Sequence, residues 1–247
     1  MIRKMMKLSL SLIVVTIFTL AFGSSIVSAK NIAQDQYLMT TEGKMSLEEI
    51  EKYRNVRYDV DNSEIEALLK EIDFNINNTN EKLKTSDSLI TLAAASVYGA
   101  AWPYTYVSSP NINCYGYASR FNRFLNPGDI TYTPNSPIGN GATPSVSTVA
   151  NYVLSDLGRA GRTSRKISSA TSYVNLNEYR IALRTGNQYG IYDYHFMLQT
   201  SNGGWCEKHG SQPSIYDGYI NPSTFRWDLG SLKGFYNSNT VYIAVKR

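Results

Sequence analysis

The sequence predicts an α+β fold, because helical patterning comes first along the chain and strand patterning after it. Three observations carry this. Ile65, Leu68, Leu69 and Ile72 recur at helical spacing directly after Ser63-Glu64-Ile65-Glu66, a capping-box pattern. Val149, Val153 and Leu157 form a second stripe, with Ser145 or Ser147 placed to cap it and Gly158 to end it. From Tyr192 to Thr200, Tyr, Phe and Leu alternate with His195, Met197 and Gln199, and Ser201-Asn202-Gly203-Gly204 then signals a hairpin turn before Trp205 to His209 returns. Strands are also expected at Tyr179 to Arg184 and at Thr240 to Lys246.

The first 29 residues read as a cleavable secretory signal peptide. Arg3, Lys4 and Lys7 give a basic start, Leu8 to Phe22 carries no charge, and Val27-Ser28-Ala29 offers small or modest side chains before the expected cut after Ala29. The apolar run is about 15 residues, shorter than the roughly 20 of a spanning helix. The expected product is secreted and extracellular, without stable membrane association after cleavage. Three of the 24 basic residues lie in this leader and no acidic residue does, which leaves 21 basic against 20 acidic residues, a net charge of +1. With so little excess charge, nucleic acid is not an expected partner. The one basic stretch, Arg159, Arg162, Arg165 and Lys166, lacks interleaved aromatics and reads as a solvated loop.

Residues 30–94 are polar and helix-like. Ser46-Leu47-Glu48-Glu49 is a further capping box, and the Asn-rich stretch Asn75 to Asn80 reads as a turn or a frayed end. Few aromatics occur there, so the segment has too little apolar surface to fold alone. It reads either as a pro-region docked on the rest or as a helical arm of the main domain. Residues 95–247 form the main domain. Cys114 opens a helical pattern running through Tyr117, Ala118, Phe121, Phe124 and Leu125 to Asn126-Pro127-Gly128, followed by a loop from Asp129 to Thr143. Tyr98, Trp102, Tyr104 and Tyr106 precede Cys114, where a substrate groove would run.

The chain has two cysteines, Cys114 and Cys206, and two histidines, His195 and His209. At a helix start, free N–H groups and the helix dipole favour a thiolate, which makes Cys114 the candidate nucleophile. A thiol nucleophile needs a base, and His195 is the candidate. Returning from the hairpin turn, Glu207 comes beside His195 on the same face, where it can hold the ring, while Cys206 points to the other face as a small apolar residue. Two alternatives stand beside this reading: a Cys114–Cys206 disulfide, and a zinc site from Cys114, His195, Cys206 and His209. The zinc site is disfavoured because Cys206 and His209 face opposite ways on a strand. No metal or other cofactor is expected.

Asn113-Cys114-Tyr115-Gly116-Tyr117-Ala118 resembles the nucleophile segment of papain-like-fold cysteine hydrolases. Asp193-Tyr194-His195-Phe196, with Gly203-Gly204-Trp205-Cys206-Glu207-Lys208-His209-Gly210, resembles a bacterial branch of that superfamily related to the CHAP and NlpC enzymes. The resemblance runs from about Ala100 to the C-terminus. It implies a papain-like fold, a nucleophile helix on an antiparallel sheet, and cleavage of a peptide or amide bond through a Cys114 thioester. His195 would shuttle the proton and the Cys114 backbone N–H would contribute to an oxyanion hole. The branch usually has His where this chain has Glu207, and Pro where it has His209. Glu207 is therefore the favoured third residue, with His209 and Asp193 as rivals, and Asn113 or Asn111 as candidate oxyanion donors. The other reading is a non-catalytic secreted or surface-binding protein that keeps the fold.

Overall fold

The computed structural model describes residues 37–40, 43–58, 61–83 and 97–247. The expected signal peptide lies outside the described residues. Among the described residues, no helix is long and apolar enough to cross a membrane. The chain divides into two compact units, with the second running from Glu48 to Arg247. In the first, strands β1 (Tyr37–Thr40) and β2 (Gly43–Ser46) pair antiparallel as a hairpin, Tyr37 opposite Ser46. Helix α1 follows at Leu47–Tyr53, with Glu48 and Glu49 in its first turn.

The second unit is mixed helix and antiparallel sheet, as the order of patterns predicts. Helix α2 (Asn62–Leu83) buries Ile65, Leu68 and Ile72. These three share one core cluster with Cys114, Tyr115, Leu125, Val153 and Leu157 and with strand residues such as Ile181 and Phe196. Each fully buried Leu or Ile contributes roughly 1.5–3 kcal/mol, so α2 is held by tertiary packing more than by its own propensity.

Helix α3 is short, Cys114–Ala118. The sequence pattern predicts helix as far as Leu125, but the chain turns back after Ser119. Arg120 (φ 61°) and Asn122 (φ 55°) adopt left-handed conformations, and the Asn122 N–H donates to the Gly116 carbonyl at 3.1 Å. Gly116 permits this, since a Cβ there would run into the Arg123 carbonyl. The aromatic spacing behind Cys114 is thus the packing of a turn. A further short helix, α4 (Asp129–Tyr132), lies within the stretch read as loop. Helix α5 spans Val146–Arg159, and Ser145 caps it by accepting the Thr148 N–H at 3.3 Å.

Strands β3 (Ser164–Ile167), β4 (Glu178–Gln188), β5 (Ile191–Gln199), β6 (Trp205–Lys208), β7 (Ser214–Gly218) and β8 (Val241–Lys246) form one sheet in the order β3-β8-β4-β5-β6-β7, with every pairing antiparallel. Strand β3 sits in the basic stretch read as a solvated loop. Its charges are used internally: Arg159 pairs with Asp73 at 2.8 Å, Arg165 with Glu178 at 2.9 Å, and Arg162 donates to the Tyr179 hydroxyl at 2.7 Å.

Candidate active site

The β5–β6 register places Met197 opposite Glu207 and Leu198 opposite Cys206. Side chains alternate across a strand, so His195, Glu207 and His209 share one face and Cys206 takes the other. Gly203, at φ 90°, makes the intervening turn. His195 Nε2 lies 2.8 Å from Glu207 Oε2, and His209 Nε2 lies 3.0 Å from Glu207 Oε1. The two imidazoles stack with centroids 4.0 Å apart and planes 8° from parallel, and Tyr236 stacks on His195 at 5.1 Å. An ionised carboxylate only accepts, so each ring carries its proton on Nε2. That leaves His195 Nδ1 as the basic nitrogen.

Cys114 is the first residue of α3. Asn113 caps the helix by accepting the Gly116 N–H at 3.0 Å. The Asn113 amide donates to the Leu125 carbonyl at 2.7 Å and to the Asn55 carbonyl at 2.9 Å, so its N–H groups serve the scaffold and do not face an oxyanion. Asn111 is exposed. The Cys114 thiol donates to the Tyr194 carbonyl over a long 3.8 Å, and no hydrogen bond joins it to His195. Both thiols are free and buried. Cys206 sits in the core, accepting from the Tyr117 hydroxyl at 3.2 Å and donating to the Leu198 carbonyl at 3.3 Å.

The residue that sequence reasoning missed is Asn55, which is fully buried at the centre of this group. Its Oδ1 accepts from the Cys114 N–H at 3.3 Å and from the Gly210 N–H at 2.9 Å. Its Nδ2 donates to Asp193 Oδ2 at 3.2 Å and faces His195 Nδ1 at 3.4 Å. Asp193 makes no hydrogen bond to His195. It accepts the Asn55 and Val56 backbone N–H groups, at 3.1 and 3.0 Å, and the Tyr236 hydroxyl at 2.7 Å. Its role is to anchor the strap Arg54–Arg57. No local signal marks Asn55 in the sequence, because its partners lie 58 to 181 residues away. Trp102 and Tyr104, expected along a groove, are tied into the scaffold: Trp102 packs edge-on against Tyr179, and the Tyr104 hydroxyl donates to the Ser214 carbonyl at 3.0 Å.

Burial dominates the electrostatics. It pushes the Cys114 thiol well above its ordinary pKa, and the Asp193 charge pushes the same way. A helix of five residues offers only a short dipole, so burial works against the thiolate expected from the helix start. Burial, then the positive charge available to His209, lowers His195 to about 4 despite Glu207. Burial opposes ionisation of Glu207, but His209 and His195 outweigh it and hold the carboxyl below its usual range. Burial also opposes protonation of His209, yet Glu207, Asp193 and Asp217 raise its pKa. The resting group is therefore a neutral thiol, a neutral His195 and a Glu207 carboxylate shared by two imidazoles.

Among the described residues, His195, Glu207 and His209 gather donor atoms within 4.8 Å of one another, close enough to consider a metal ion. The rings argue against shared ligation. An imidazole binds a metal in its own plane, and two parallel planes about 4 Å apart cannot both contain one ion. Comparison with family models, curated proteins and solved structures finds no match.

Proposed function

We propose that this chain is an exported cysteine peptidase or amidase of papain-like fold, with Cys114 as nucleophile, His195 as base and Glu207 as the group that holds the base. One observation supports it most: Glu207 fixes His195 through Nε2, which leaves Nδ1 basic and turned toward the Asn55 amide, the same amide that meets the Cys114 N–H. Holding the ring in one tautomer is the part a third residue plays beside a nucleophile and its base. In the reaction, the Cys114 thiol proton passes to His195 Nδ1 as sulfur attacks the carbonyl carbon. The same proton then goes to the leaving amine as the C–N bond breaks. Water, deprotonated by His195, hydrolyses the thioester. Export follows from the leader pattern, and a short helix on an antiparallel sheet is consistent with the fold.

The test is turnover of a mixed peptide library and of purified cell walls, alongside labelling by a peptidyl epoxide. The expected result is a covalent adduct at Cys114 and not at Cys206, and hydrolysis that disappears in Cys114→Ala and His195→Ala variants that still fold. Hydrolysis that persists in Cys114→Ala overturns the proposal.

A further inference from the structure

Two backbone N–H groups from distant parts of the chain, Cys114 and Gly210, converge on one oxygen, Asn55 Oδ1, at 3.3 and 2.9 Å. Paired backbone donors on one amide oxygen are the geometry of an oxyanion hole. The orientation of the amide is fixed by its surroundings: reversing it would set its N–H groups against two N–H donors and its oxygen against the Asp193 carboxylate. Its nitrogen faces His195 Nδ1 at 3.4 Å, on the side where a leaving amine would receive its proton. Asn55 thus holds its carboxamide in the pose of a substrate amide.

We propose that the Cys114 and Gly210 N–H groups form the oxyanion hole and that Asn55, carried on the strap Arg54–Arg57, plugs it, so that the strap must lift before a substrate carbonyl can enter. This rests on the cysteine-hydrolase reading of the site. Cys114 and His195 are both fully buried, and no substrate reaches them with the strap in place. The strap is held at separable points. Asp193 grips the Asn55 and Val56 N–H groups. Asn126 brackets Arg57, accepting its N–H at 2.9 Å and donating to its carbonyl at 2.7 Å. Gly210 lets the strap lie directly on it, since a Cβ there would come within 2.5 Å of the Arg54 carbonyl. On the outer side of the strap lies a cavity of about 750 Å³, bordered by Arg54, Val56, Arg57, Asn111 and Phe124, which gives the strap room to move outward. Lifting the strap also hydrates Cys114 and relieves the burial that keeps its thiol protonated.

The test compares iodoacetamide labelling of Cys114 and Cys206, mapped by peptide mass, in the full chain, in Asn55→Ala and in Asn126→Ala, with turnover of a mixed peptide library read in parallel. Asn126 makes no hydrogen bond to Cys114 or His195, and besides bracketing Arg57 it accepts from the Tyr194 hydroxyl at 3.1 Å, so its loss loosens the strap even if Asn55→Ala fails to fold. Local opening sets the labelling rate, so the expected gain at Cys114 is about tenfold or more for Asn55→Ala and severalfold for Asn126→Ala, with Cys206 unchanged. Equal acceleration of both thiols means global loosening and overturns the plug, as does an unchanged Cys114 rate in Asn126→Ala. Faster Cys114 labelling without turnover in any variant leaves the plug standing and sinks the hydrolase reading. Wild-type turnover that falls in Asn55→Ala without faster labelling keeps the hydrolase and rejects the plug.

Discussion

Cys114 and Cys206 are the same residue type and equally buried, one at the start of a helix and one on a strand, yet their surroundings have little in common. Cys206 makes two ordinary polar contacts, with the Tyr117 hydroxyl and the Leu198 carbonyl, and no imidazole shares its face of β6. Cys114 has one long contact through sulfur. Its backbone N–H, however, belongs to a network holding a carboxamide, the basic nitrogen of an imidazole that the carboxamide faces, and the Asp193 carboxylate. Burial raises both thiols, so depth does not separate them. What separates them is whether the neighbours complete the thiol's own hydrogen bonding or stand ready for a different charge state.

Breaking the Cys114 side has the largest expected effect. Cys114→Ala should remove turnover by at least about 10³-fold while Cys206→Ala leaves it within a factor of a few, as measured by initial rates on one peptide substrate. A second measurement uses pH. The unfolded chain protonates His195 near 6.5 and the folded chain only near 4, so the unfolded state binds more protons between those values and stability falls on acidification. Denaturant melts at pH 7 and pH 4 should show wild type losing up to about 3 kcal/mol more than His195→Gln across that window. Equal losses would mean that the ring is protonated within the fold.

Glu207→Gln sharpens the comparison further. A glutamine accepts one N–H but presents donors to the other imidazole, so His195 loses its single tautomer. Turnover should fall about 10²-fold with little change in KM, and the acid limb of the rate profile should shift. The smallest effect belongs to the scaffold cysteine. Cys206→Ala should cost about 1–2 kcal/mol of stability, read from the denaturation midpoint, because a buried hydroxyl and a buried carbonyl each lose a partner.

Much of the sheet side of the site was legible in the sequence. Period-two alternation and a glycine turn fix which residues share a face, so the pairing of His195 with Glu207 and the separation of Cys206 follow from counting along a hairpin. The helix side was legible only at Cys114. Its length was misread because Phe121 and Phe124 sit at helical spacing while Gly116 lets the backbone fold over the helix. Strand β3 was hidden by its charges: Arg165 finds its partner, Glu178, on β4, which no local pattern reveals. His209 was read as a rival to Glu207, whereas both imidazoles share that carboxylate. Asn55 was invisible because its meaning lies in contacts across 138 residues to Asp193 and 155 to Gly210. Residues 54–57 belong to the same compact unit as the sheet, so no change of composition at a domain edge points to them.

The convergence of two backbone donors on Asn55 also sets a competition. A tethered group acts at an effective concentration on the order of millimolar or higher, far above that of most free substrates. With Asn55 as the proposed plug, an incoming amide would bind with its intrinsic affinity divided by the odds that the tether holds the pocket. A substrate that also engages the strap, by contacts with Arg54 or Arg57 on its outer side, shifts those odds itself. Selectivity would then depend on which ligands can evict an asparagine as much as on the shape of the pocket it leaves.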